Sequence, residues 1–396
     1  MKNGVIVVIF CCILSVGVKA GLLDAAEEPA SPQDAKQLLL RAAEEEKALD
    51  SSGLIYDDPD LKHYLERIVR NLQPAEYPED LSFRVQIIKD PHLNAFVFPD
   101  GAIYINTGLL ARIENEAQLA TILAHEMAHA LMRHALKTLR AFEGKRATPP
   151  AIQEGFAKSP EEGTAGKLLV SKGTALSIRA YTGSLEKEAD RVGLDLIIKA
   201  GYDPQAAVEL LRHLKEESVK EDIHEPFISE TRPSLQDRMR EFERLLHTHK
   251  DAGMPGIRNR DIFLLETRRA LLENARLDMK LGRFTAALTE AERYLRITPR
   301  DARALYLLGE ILRQRGADGD VRRARIFYEE AISMDPSYAE PYRALGLVQY
   351  KAGEMLLARN SFQCCLLLSP HRPDRAYIEG YLRKCRERGA EKGAGL

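Results

Sequence analysis

At 396 residues and 45% hydrophobic composition, the chain has material for two or three packed domains. A formal net charge of −2 argues against nucleic acid as a partner. Residues before Ile262 sum to about −8 and those from Ile262 onward to about +6 by side-chain count. That split marks either two solvated surfaces or a mildly basic C-terminal module meeting an acidic partner.

Residues 1–20 open with Lys2, run apolar from Val5 to Val18, and end in Val18-Lys19-Ala20 before Gly21. Such a run is short for a bilayer span and suits a secretory h-region followed by small residues for cleavage. The expectation is a cleaved signal peptide and a periplasmic protein, with an uncleaved N-terminal anchor as the rival. Phe10 is too bulky to precede a lipidated Cys11. No later stretch is apolar for eighteen uninterrupted residues, so no transmembrane span is expected in the mature chain. Residues 21–53 read as a lead-in with a Glu-rich amphipathic helix at 33–49, and 59–72 as a second helix ended by Pro74. Residues 81–88 alternate like a strand, and 93–110 hold two short strands about the Pro99-Asp100-Gly101 turn.

Next comes His125-Glu126-Met127-Ala128-His129, inside an apolar run at 119–131 that lacks Gly and Pro. The natural backbone there is a helix, and residues four apart share a helix face, so His125 and His129 can grip one ion. A catalytic zinc takes three protein ligands and keeps a position for water, which Glu126 would deprotonate as general base. His134, five residues past His129, lies off the ligand face of a continuous helix and reads as a surface residue. The stretch 142–172 is rich in Gly, Pro, Ser, Glu and Lys, either a lid beside the site or a disordered loop.

The third ligand is sought in Tyr181-Thr182-Gly183-Ser184-Leu185-Glu186-Lys187-Glu188-Ala189-Asp190-Arg191-Val192-Gly193-Leu194. Glu186 and Asp190 are again four apart on an expected helix. Glu186 would be the metal ligand, and Asp190, one turn on, would hold a ligand histidine by its free ring nitrogen or pass protons. Glu188 points to another face and reads as solvated. His213, His224, His247 and His249 have no partner at ligand spacing.

The pairing of His-Glu-x-x-His with Glu186-x-x-x-Asp190, followed by Gly201-Tyr202-Asp203-Pro204, resembles the gluzincin metallopeptidases. That family includes the CAAX prenyl proteases, HtpX and the soluble beta-barrel assembly-enhancing proteases, and the likeness runs over roughly 54–246. It implies a zincin-like domain with one Zn2+ per chain, Glu186 as third ligand and Asp190 as an orienting residue or proton donor. It also implies an edge strand that binds extended polypeptide, and a role with the outer-membrane barrel assembly machinery. Two positions depart from the pattern: Thr182-Gly183 stands where many relatives have Ser-Arg, and Thr231-Arg232-Pro233 where many have Thr-His-Pro, with Arg238 following. A guanidinium is a poor zinc ligand, so restraint of the site by that His is not expected here. Arg238 is a candidate oxyanion donor.

From about Arg268 the chain repeats. Pro299, Pro336 and Pro370 end successive units at spacings of 37 and 34. Gly309 and Gly346 recur where paired helices would cross, Gly282, Gly316 and Gly353 at the inter-helix turns, and Ala287, Ala324, Ala358, Tyr328 and Phe362 as packing residues. Ala275 replaces the first crossing glycine, and the second unit is lengthened around 317–320. These resemble three tetratricopeptide repeats, with residues 373–388 as a capping helix and 389–396 as a frayed tail. Such a solenoid offers a groove to a partner or forms a rigid shoulder over the catalytic cleft. Cys385 is expected either to bridge one of Cys364 and Cys365 or to stay a buried thiol with them.

The sequence thus predicts a mainly α chain: a zincin-like metallopeptidase domain with a small β-sheet at 54–250, then an α-solenoid of repeats at 262–388. The expected activity is zinc-dependent endopeptidase action on polypeptides in the periplasm, free or peripheral to the outer membrane. The competing reading is a repeat-based chaperone or assembly adaptor with a latent zinc site.

Overall fold

The computed structural model describes residues 32–143, 181–220, 234–249, 253 and 255–393. The expected signal peptide, most of the 142–172 insertion, His224 and Thr231-Arg232-Pro233 lie outside the described residues.

Helix α1 (Pro32–Asp50) leads in, and α2 (Pro59–Leu72) follows. Asp58 caps α2 by accepting from the Leu61 N–H, and Pro59 stands where a helix has no use for an amide donor. Its apolar face, Leu61, Tyr64, Leu65, Ile68, Val69 and Leu72, is buried. Strands β1 (Arg84–Ile88), β2 (Ala95–Val97) and β3 (Ala102–Asn106) form one sheet in the order β1-β3-β2. β1 runs parallel to β3, while β2 pairs antiparallel with Phe96 opposite Tyr104. Gly101 has φ +97, and an added Cβ would press on the Ser82 backbone at 3.1 Å, so glycine is needed at this turn.

α3 (Thr107–Arg112) joins the sheet to α4 (Glu116–Leu131), the central helix. Every residue of α4 except Leu131 is buried, which its apolar sequence requires and which leaves its polar groups needing partners. Glu116 meets this need at the N-terminal end, accepting from the hydroxyls of Tyr64 (2.8 Å) and Tyr202 (3.0 Å) and from Asn259 Nδ2 (2.9 Å). α5 (His134–Glu143), α6 (Gly183–Lys199), α7 (Gln205–Lys220) and α8 (Leu235–Thr248) complete this part of the chain, with α6, α7 and α8 adding to the same apolar core.

Three helical hairpins follow: α9 (Arg260–Lys280) with α10 (Phe284–Ile297), α11 (Ala302–Arg315) with α12 (Asp320–Met334), and α13 (Ala339–Lys351) with α14 (Met355–Leu368). α15 (Arg375–Gly393) packs on the last of them. The first hairpin begins eight residues before Arg268, and the final helix runs past 388. A Cβ on Gly309 would lie 2.3 Å from the Tyr328 ring, and one on Gly346 2.7 Å from the Phe362 ring, as expected of tight crossings. Gly282, Gly316 and Gly353 take φ of +77, +68 and +79 at the turns. Cys364, Cys365 and Cys385 are free thiols, and Cys364 is exposed rather than buried.

The repeats are joined to α3 by buried polar contacts. Arg112 donates to Asp278 (3.0 Å) and Glu290 (2.6 Å), and Thr107 Oγ1 donates to Asn274 (3.1 Å). Arg293 donates to the carbonyls of Ala111 and Ile113, both at 2.8 Å, and so satisfies the open end of α3.

Candidate metal centre

Two helices build the site. α6 crosses α4 closely because Gly193 carries no side chain: a Cβ there would stand 3.1 Å from the His125 amide nitrogen and 3.3 Å from the Ala124 carbonyl carbon. This approach carries the first turn of α6 over the two histidines. His125 Nε2 and His129 Nε2 lie 3.0 Å apart, with Glu186 Oε2 3.4 Å from the former and Oε1 3.9 Å from the latter. One donor atom from each of the three residues falls within 4.8 Å of the others. All three side chains are buried.

The hydrogen-bond network decides which ring nitrogens carry protons. His125 Nδ1 sits 2.9 Å from Asp190 Oδ1, so it donates there and its Nε2 offers a lone pair. Glu188 Oε2 accepts from His134 Nε2 at 3.1 Å, which leaves His134 Nδ1 as an acceptor. His129 Nδ1, 2.8 Å away, then donates to it, and its Nε2 also offers a lone pair. Burial holds the His134 imidazole below its ordinary range. Glu188, despite some burial, is held below the usual carboxylate range by His134 and Lys137. Two imidazole Nε2 atoms and a carboxylate therefore converge, a donor set that fits a divalent cation in place of a proton.

Asp190 is bound bidentately by Arg238, Nε to Oδ2 at 3.0 Å and Nη2 to Oδ1 at 2.6 Å. Burial pushes the Asp190 carboxyl up, but Arg238 and His125 outweigh it and hold the group ionised. Of the two roles open to Asp190, orienting His125 is the one this geometry supports. Burial and Arg238 push His125 down, while its hydrogen bonds to Asp190 and Glu186 push it up, to about 9. The same carboxylates favour any positive charge held there, proton or metal ion. Glu126 is buried beside His125 on α4, and its charge reaches Arg238. Arg238 thus faces Asp190 through its Nε and Nη2.

Two expectations are corrected. His134 is fully buried against His129, not at the surface, and Glu188 accepts from both His134 and Lys137 (3.3 Å) rather than being merely solvated. The cause is local: Arg133 takes φ +56, which breaks the helix and resets its phase, so that α5 turns its first residue back under His129. A continuous period of 3.6 cannot foresee this. The neighbouring Arg-His pair after a His-Glu-x-x-His helix was the signal available.

With this geometry in view, residues 57–246 match peptidase family M48. This stretch is an M48 peptidase domain. The gluzincin resemblance read from the two motifs is borne out. A beta-barrel assembly-enhancing protease of Yersinia pestis is 32% identical over 179 residues, covering 42% of this chain and 35% of that protein. The protein of the same description from Escherichia coli K12 is 28% identical over 200 residues, covering 49% and 40%. Mitochondrial metalloendopeptidase OMA1 of Schizosaccharomyces pombe is 31% identical over 183 residues, covering 46% and 52%. The matched part of the chain therefore spans between about a third and a half of these relatives' length. Among solved structures, the chain is similar to an Arabidopsis OM64 TPR domain at TM-score 0.28 and 16% identity, covering 31% of this chain and 98% of that one. Beyond the M48 domain the chain continues into the helical hairpins. No helix among the described residues is long and apolar enough to cross a membrane.

Proposed function

We propose that this chain is a zinc-dependent endopeptidase of the bacterial envelope, acting in the quality control or assembly of outer-membrane proteins. The observation that carries the reading is the convergence of His125, His129 and Glu186 beside Glu126 in an M48 domain. When bound, zinc supplies Lewis acidity toward a peptide carbonyl and toward water. Glu126 accepts a proton from the attacking water and returns it to the leaving amine. Asp190, kept ionised by Arg238, fixes His125 by its Nδ1–H. β2 is one of the two outer strands of the sheet among the described residues, and a small apolar cavity lined by Val97, Phe98 and Pro99 also touches His129. A polypeptide paired along β2 would pass the cation site in one backbone geometry whatever its sequence, which suits misassembled substrates.

The names of the bacterial relatives support an envelope role, and the N-terminal apolar run supports export to the periplasm. The repeats are the surface we assign to the barrel assembly machinery. Replacing Glu126 by Gln should leave zinc content at the wild-type level by elemental analysis and lower peptide cleavage by about 10²–10⁴-fold. Full retained cleavage would remove Glu126 as the base. An adaptor role is favoured by the exposed Leu356, Leu357 and Leu367 on α14. Equal rescue of an envelope defect by wild type and by Glu126→Gln would select it over proteolysis.

A further inference from the structure

His134 and Glu188 play no part in the chemistry above, yet they are built into the site. His134 is fully buried and both its ring nitrogens are engaged, one with His129 and one with Glu188. A buried histidine satisfied by two partners needs no function in general. Here one of those partners is a donor residue of the cation site, on the ring nitrogen opposite the one facing the cation position. The ring of His129 is also held from its face: Tyr181 stacks on it at 4.2 Å between centroids and 14° between planes, and meets His134 at 5.8 Å.

The backbone that achieves this is strained. Arg133 is one of only two described non-glycine residues with positive φ, a conformation that costs on the order of 1–3 kcal/mol for such residues. It is held there by a pair of hydrogen bonds to Asp80, at 2.5 and 2.6 Å. Without that break His134 would point some 140° around the helix from His129.

We propose that His134, seated on Glu188, is a positioning residue for the cation site: by accepting the Nδ1–H of His129 it fixes the tautomer whose Nε2 lone pair faces the cation. This rests on the cation reading of His125, His129 and Glu186. Asp190 does for His125 what His134 does for His129, so each ligand ring is held at its far nitrogen by its own carboxylate: directly for His125, and through a second imidazole for His129. The two supports differ in consequence. A carboxylate beside Nδ1 stabilises positive charge on the ring, whereas a neutral imidazole fixes its orientation and tautomer without adding charge.

The test is zinc affinity, measured by competition with a colorimetric chelator on the full chain after metal removal. His134→Phe fills the space without an acceptor, while His134→Asn keeps a side-chain oxygen toward His129. His134→Phe should bind zinc about 10–100-fold more weakly, and His134→Asn should recover most of that loss. Glu188→Leu, which releases His134 from its tautomer but leaves its ring in place, should weaken zinc several-fold, and Glu188→Gln much less. Wild-type affinity in His134→Phe, or equal weakening in the Phe and Asn variants, would overturn the proposal. Should His134→Phe fail to fold, the Leu and Gln pair at 188 decides, and equal affinities there would overturn it. Failure of the cation reading shows separately, as wild-type protein that takes up no zinc.

Discussion

At the scale of single residues, the site depends as much on an absent side chain as on those present. Gly193 lets α6 approach the backbone of His125, and Ala there would need the helices to part by a few tenths of an ångström. We expect Gly193→Ala to destabilise the fold by about 1–3 kcal/mol and to weaken zinc binding, because it displaces Glu186 and Asp190 together. Unfolding by urea and chelator competition check both; an unchanged midpoint with unchanged zinc affinity would mean the crossing has slack. The candidate donors His125 and His129 were legible in the sequence because four-residue spacing on a helix is local geometry, whereas Glu186, on another helix, was read from the second acidic motif and the family resemblance. His134 was not, since one left-handed residue at Arg133 overrides the period that argument relies on. Nor was the role of Arg238, whose partner Asp190 lies 48 positions away in the chain.

At the scale of elements, hydrophobic pattern and turn residues located most of the fold. The bounds read for the second helix coincide with α2, since Pro59 and Asp58 mark its start. The hairpin about Gly101 and the repeat glycines were equally legible, because left-handed turns and close crossings leave few alternatives to glycine. Boundaries without such markers drifted. The strand read at 81–88 pairs only over Arg84–Ile88, and the repeats read from about Arg268 open with a helix that starts at Arg260. What pattern could not reveal was how α3 serves two partners. This six-residue helix leads from β3 toward α4 while its polar side chains and terminal carbonyls are taken by α9 and α10.

At the scale of the molecule, the buried cluster of Arg112, Asn274, Asp278 and Glu290 ties the M48 domain to the repeats. Two carboxylates share one buried guanidinium, with Arg283 at 3.6 Å from Asp278. Burial pushes the Glu290 carboxyl up, Arg112 pulls it down and Asp278 pushes it up again, leaving it at about 8. A carboxyl whose folded value is raised binds its proton more tightly in the folded state, so its contribution falls as pH rises from its unfolded value through about 8. The melting temperature should therefore decline between about pH 5 and about pH 8 and level off above, and Glu290→Gln should flatten that decline. An identical pH profile for the two proteins would show that Glu290 is ionised throughout.

The central claim is that one cation sits among two imidazoles of α4 and one carboxylate of α6. X-ray absorption at the zinc edge, on the metal-loaded chain, tests it most directly. The account predicts one zinc per chain with nitrogen and oxygen neighbours at about 2.0–2.2 Å, two of them imidazole, and loss of that signature in Glu186→Ala. A sulfur neighbour, or a spectrum unchanged by Glu186→Ala, would contradict it.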